Sequence, residues 1–278
     1  ERVKNAPPTA EEIERALNAI ESQTVFGLQT VLGKANEMNS NAVFYGTPDM
    51  FQKQLDAYRR VTPADVQRVA KNYLGENRLV MSFVPRKGAR PAGEKATEET
   101  EEAKKEKNGK DYSANLPKPG PDPKFTLPKI EKSKLSNGLE VWLVRQSELP
   151  IVSMNLVLKT GGTADPQNRA GLASITSSLL NAGTKTRSAV DISNELQAIG
   201  ANLGAGSGWD SATVSMQTLT RNLDKALDIY SDVIVNPAFP AAELETLRSR
   251  ALIGFLQRKD NPNAIAGVVY DQLLYGKD

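Results

Sequence analysis

The chain contains no histidine and no cysteine in its 278 residues. Without imidazole or thiol there is no Ser-His-Asp triad, no cysteine nucleophile, no zinc finger and no histidine-ligated catalytic zinc. The missing cysteines exclude a small disulfide-stapled scaffold but leave the compartment open, since a bacterial periplasm and a cytosol both fit. Charge of one sign is also scarce. The 35 Lys and Arg against 33 Asp and Glu leave +2, which supplies no field for nucleic acid or an anionic membrane. Long apolar runs are lacking too: Ala264 to Tyr270 is the longest, far short of the ~18 residues a membrane span requires. No secretory leader is read at the start, which is Glu1 rather than Met, so the sequence is expected to be a piece of a longer protein.

What is present suffices for cores. Hydrophobic residues make up 39% before the 20 glycines are added, and the length suits about two domains. From Arg86 to Lys110 there is no Val, Ile, Leu, Met, Phe, Trp or Tyr. Such a stretch cannot offset its ordering entropy by burial. Pro117, Pro119, Pro121, Pro123 and Pro128 follow, favouring an extended chain. Residues 86–127 are therefore expected to link two folded parts, 1–85 and 128–278.

Before the linker, Thr9 to Glu12 has the form of a capping box opening a helix with Ile13, Ala16, Leu17 and Ile20. Thr62-Pro63 starts a second helix, expected to bury Val66, Val69, Ala70 and Tyr73 and to stop at Gly75. Arg78 to Val84 reads as a strand. After the linker, Asn137-Gly138 predicts a hairpin turn with two positive-φ residues. Strands are expected at 139–145 and 151–159, the second with Val152, Met154, Leu156 and Leu158 on one face. Helices follow at 169–181 and at 189–199, the latter stopped by Gly200. Ser211 to Leu219 alternates as a half-buried strand. Thr220 is expected to cap a helix with Leu223, Leu227, Tyr230 and Ile234 inward, and Pro240 to start another with Leu244, Leu247, Ala251, Leu252 and Phe255. The pattern predicts an α+β fold, an antiparallel sheet with helices packed on one face.

Several constellations read as structure rather than chemistry. The glycines at 200, 204, 206 and 208 lack G-x-G-x-x-G spacing and follow a helix, so they predict a strand with bulges or close backbone approach. Asp224, Asp228 and Asp232 recur every four residues on one helix. Hard cations take ligands from curved loops, so this row reads as a solvated face. Glu243 and Glu245 suit the first turns of their helix. Lys225 and Arg221 are interleaved with acids and make no basic patch for nucleic acid.

The most informative stretch runs from Asn168 to Thr184 and contains Gly171-Leu172-Ala173-Ser174, Ser177-Ser178 and Gly183-Thr184. It resembles the active-site helix of the insulinase/pitrilysin family of zinc metallopeptidases, where Gly-Leu-Ala-His-x-x-Glu-His precedes a Gly-Thr. By that resemblance the two zinc-ligating His positions are Ser174 and Ser178, and the general-base Glu position is Ser177. The third ligand, a Glu late in a distant helix, falls where this chain has Ile253 and Gly254. Leu135 to Leu139, Gly161-Gly162 and Thr184 match the opening of a family unit in order. Val61 to Leu74 with Val84-Pro85 resembles the end of a preceding unit.

The resemblance implies a processing-peptidase-like fold, cut inside two units: 1–85 closes one, 86–127 is a charged, Pro-rich linker, and 128–278 opens a second, degenerate one. It implies no catalytic residue and no metal or other cofactor in this chain, with zinc only in a catalytic partner unit. The chain would then close a chamber and help hold peptide for that homologous half, in a parent zinc endopeptidase. The resemblance favours a periplasmic or secreted bacterial location, without nucleic-acid or membrane partners. Leu203, Gly204, Ala205, Gly206 and Ser207 correspond to the edge strand that receives substrate. The alternative is a purely structural relative, like the processing-peptidase-like core subunits of respiratory complexes.

Overall fold

The computed structural model describes residues 1–75, 79–82, 120–121, 124 and 126–276. Packing divides the chain into two compact units, Glu1–Tyr73 with Gln146–Asp278, and Leu74–Arg145. All but residues 120, 121, 124, 126 and 127 of the expected linker lie outside the described residues.

The N-terminal segment is helical: α1 (Arg2–Asn5), α2 (Ala10–Gly27), α3 (Val31–Tyr45), α4 (Phe51–Arg59) and α5 (Pro63–Tyr73). The Thr9 capping box forms in both directions, Glu12 N–H to Thr9 Oγ1 at 3.1 Å and Thr9 N–H to a Glu12 oxygen at 2.8 Å. Thr62 and Asp65 repeat the arrangement at α5. Helix α5 buries less than expected: Ala70 is buried, but Val69 and Tyr73 are 45% and 79% exposed, with no described element over them. Of the strand expected from Arg78 to Val84, residues 79–82 are described. They form no strand, and Leu79, Val80 and Met81 are exposed. A strand exists only where a second backbone takes its hydrogen bonds, and among the described residues none is paired to these.

The Leu74–Arg145 unit carries the hairpin of β1 (Ile130–Lys134) and β2 (Glu140–Val144). Its turn differs from the expected form. Only Gly138 has positive φ, +89°, while Asn137 stays at negative φ and accepts Leu139 N–H through Oδ1 at 3.0 Å. Leu135 N–H reaches Leu139 O and Gly138 N–H reaches Leu135 O. This is the three-residue turn ending in a left-handed glycine, not the two-residue type.

In the larger unit, β3 (Ile151–Leu158), β4 (Asn202–Ser207) and β5 (Ala212–Leu219) form an antiparallel sheet of order β3-β5-β4. Helices α6 (Leu172–Leu179), α7 (Ala189–Ile199), α8 (Leu223–Val235), α9 (Ala241–Arg258) and α10 (Pro262–Tyr275) accompany it. One face of the sheet meets α7 and α8. Met216 packs there with Ile192, Ile199, Ala226, Ile229 and Val233, all at most 6% exposed, and Met154 and Leu203 border them. The opposite face carries Ser153, Asn155, Ser215 and Gln217, in register across β3 and β5. The chain is thus α+β, with helices packed on one sheet face.

Three expectations shift in detail. Thr220 opens a 3₁₀ turn, Thr220–Asn222, and α8 starts only at Leu223. The Asn222 amide that could have capped it donates instead to Ile199 O, 2.8 Å away. The buried stripe of α8 is Ala226, Ile229 and Val233, about a quarter turn from the expected one, and Leu227 is 42% exposed. The glycine-rich strand is regular. Its register with β5 runs unbroken from Asn202↔Gln217 to Ser207↔Ala212, without a bulge.

Candidate functional site

Helix α6 begins at Leu172, inside the stretch whose serines the resemblance sets at the expected ligand and base positions. The Asp165 carboxylate accepts Gly171 N–H at 2.8 Å and Ala173 N–H at 2.9 Å, serving orphan donors at the positive end of the helix. Ser174 and Ser178 are exposed one turn apart, and Ser178 Oγ donates to Ser174 O at 2.8 Å. Ser177 points the other way and is buried at 4% exposure. Helix α6 packs along β4 and also touches α9, which carries Ile253 and Gly254. The structure therefore brings the serine helix and the glycine-rich strand together. Ile253 is 55% exposed and an added Cβ on Gly254 would meet nothing within 4 Å. Two exposed hydroxyls and an aliphatic side chain offer hard, weakly basic or no donors, so these residues do not fit a zinc ion, which takes imidazole, thiolate or carboxylate.

Strand β4 lies at the edge of its sheet among the described residues. The direction of its backbone groups follows from the hairpin that joins it to β5. Gly208 N–H donates to Ser211 O at 2.8 Å, marking 208 and 211 as a hydrogen-bonded pair. Such pairs alternate along an antiparallel ladder, so Asn202, Gly204 and Gly206 bond to β5. The N–H and C=O groups of Leu203, Ala205 and Ser207 point away from it. At Gly206 an added Cβ would meet nothing within 4 Å, whereas at Gly204 it would come 3.1 Å from Ser215 Oγ.

The densest polar site was not singled out by sequence. Arg187, with its side chain 18% exposed, donates to Glu195 through Nε at 3.0 Å, to Asp232 through NH1 at 2.7 Å, and to Asp228. Asp232 also accepts Thr184 Oγ1 at 2.7 Å, Thr186 Oγ1 at 3.0 Å and Asn236 Nδ2 at 3.0 Å. Burial by itself pushes the Asp232 carboxyl up. The hydrogen bonds from Thr184, Arg187, Asn236 and Thr186 outweigh it and hold the group far below the usual carboxylate range. The same acids raise the Arg187 guanidinium, led by Asp232. This corrects the solvated-face reading for Asp232, which is 8% exposed; Asp228 stays on the solvated face, its side chain 69% exposed, while pairing with Arg187. It also gives Thr184 a task. Its hydroxyl anchors the loop after α6 to α8 while accepting Arg187 N–H at 2.9 Å. Arg221, which the sequence sets among acids, pairs with Glu21. Three carboxylates converge on a cation here, and among the described residues no group of acids is placed to hold a metal ion.

Residues 140–266 match the family model described as insulinase, peptidase family M16. An "uncharacterized zinc protease" of Rickettsia bellii is 30% identical over 145 residues, covering 52% of this chain and 33% of that protein. Cytochrome b-c1 complex subunit 1 of Caenorhabditis elegans is 27% identical over 148 residues, covering 53% and 31%. Among solved structures, a peptidase M16 inactive domain from Pseudomonas fluorescens is similar at TM-score 0.49 and 27% identity, covering 52% of this chain and 35% of that one. The chain spans about a third of the length of these curated relatives.

Proposed function

We propose that this chain, whose residues 140–266 match the insulinase (peptidase family M16) model, is a non-catalytic family unit that holds extended peptide for a homologous zinc-bearing half and closes the chamber with it. The carrying observation is α6. Its frame of Gly171, Leu172 and Ala173 and the following Gly183-Thr184 are built and capped, while serine stands at 174, 177 and 178. No step of peptide hydrolysis is assigned to this chain, and zinc belongs to the partner half. In the same reading residues 1–85 end a preceding unit, 86–127 connect, and 128–278 open the second. The parent protein is then a zinc endopeptidase.

What the chain itself contributes is β4. The outward N–H and C=O groups of Leu203, Ala205 and Ser207 can pair with an extended peptide. The small side chains at Gly204, Ala205 and Gly206 put little demand on its sequence. Proline at 205 removes one outward donor without touching the ladder to β5. Ala205→Pro should therefore weaken peptide affinity, read by fluorescence anisotropy, at nearly unchanged melting temperature. Equal affinity in two equally stable proteins would remove β4 from the peptide path. It would leave the second reading, a structural subunit, which the similarity to a cytochrome b-c1 complex subunit favours.

A further inference from the structure

Helix α2 of the N-terminal segment lies against α7 of the family domain, almost 180 residues away in sequence. The contact is specific at several points. Gly200 ends α7 at φ +61°, and a Cβ built there would fall 2.1 Å from Ser22 Oγ and 2.5 Å from Asn18 O. Ser22 is 1% exposed and its hydroxyl has no hydrogen-bond partner among the described residues. The position is thus kept for a small side chain, not for a hydrogen bond. One turn earlier, Asn18 Nδ2 donates to Ala198 O at 2.7 Å, satisfying a carbonyl at the end of α7. Beside it Arg221 grips both Glu21 oxygens, at 2.6 and 3.0 Å, and Arg59 of α4 adds a third contact at 3.2 Å.

We propose that α2 and the end of α7 form a docking interface, with Ser22 as the key and Gly200 as the slot, that holds residues 1–75 on the family domain without need of the covalent connection through residues 86–127. The partner recognised is this chain's own α2. The close approach at Gly200 sets the register, and the Glu21–Arg221 pair, with Arg221 about half exposed, adds a salt-sensitive attraction.

The test places a site-specific protease sequence within residues 86–119 of the full chain and follows the cut protein by size exclusion. The fragments should co-elute at about 0.1 M salt and separate more readily at about 1 M, where the screening length falls from roughly 10 Å to 3 Å. Separation at the lower salt overturns the proposal. Ser22→Trp should weaken association about ten- to a hundredfold, because the slot has no room, while Ser22→Ala should leave it intact. Glu21→Arg should weaken it, and Glu21→Arg with Arg221→Glu should restore it. Circular dichroism of the separated family-domain fragment guards against simple unfolding. Wild-type-like association of Ser22→Trp, or failure of the charge swap to rescue, would show that this contact does not hold the segments.

Discussion

Two polar clusters stand at opposite extremes in this molecule. Around Arg187, three acids, two threonines and an asparagine converge in one network, with Asp232 and Thr184 buried at its centre and Glu195 and Asp228 at its exposed rim. On α6, Ser174 and Ser178 share one exposed hydrogen bond between them. The resemblance puts chemistry at the second and says nothing of the first, yet the first is the one the fold has built. A buried charge persists only where every partner is in place. An exposed hydroxyl tolerates almost any neighbourhood. Density of polar contacts therefore marks what holds the loop to α8, and the exposed Ser174 and Ser178 carry little of the fold's polar bonding.

The largest expected effect lies in the dense cluster. Arg187→Met leaves Asp232 buried without its cation and should cost about 3–5 kcal/mol in urea unfolding at neutral pH. The pH dependence follows from the lowered Asp232 pKa. In the wild type its stabilisation is present above its ordinary value of 3.8 and is lost as pH falls below that toward the folded value. In Arg187→Met the carboxyl loses a hydrogen bond that lowers it, so its folded pKa rises and the gap to wild type should narrow as pH falls through the variant's pKa toward the lower wild-type value. A gap that stays constant would mean that packing, not charge, is what Arg187 supplies.

An intermediate effect is expected at Tyr230. Its hydroxyl accepts Leu156 N–H at 2.9 Å and donates to Val214 O at 2.7 Å, standing inside the β3–β5 ladder. Tyr230→Phe leaves two backbone groups unpaired and should cost about 1–3 kcal/mol, with faster amide exchange at Leu156. Unchanged exchange would indicate that the ladder closes directly. The smallest effect belongs to the sparse cluster: Ser178→Ala should stay within about 0.5 kcal/mol of wild type by thermal melting. A larger loss would place structural weight on that surface.

Local signals were legible in the sequence. The Thr9 capping box, the Gly200 stop and the alternation from Ala212 to Leu219 appear where the residues put them, because each depends on neighbours within a few positions. The acidic row failed for a geometric reason. Four residues advance a helix by about 400°, so Asp224, Asp228 and Asp232 drift about 40° per step. With the buried stripe at Ala226, Ile229 and Val233, that drift carries the row from solvent at Asp224 to the protein interior at Asp232. The stripe itself is chosen by α7 and the sheet, which no window on α8 contains. Arg187 was hidden likewise, since its Asp partners lie 41 and 45 residues away. The serines of α6 were named from the sequence and remain the proposal's own assignment, and the outward backbone of β4 became visible only with the register.

The account's central claim, peptide holding without cleavage, is tested most directly by incubating the chain with zinc and an extended peptide and examining the recovered complex by mass spectrometry. The account predicts that peptide is retained at full length, with no zinc bound in a one-to-one ratio to the chain. Peptide fragments accompanied by one tightly held zinc per chain would contradict it.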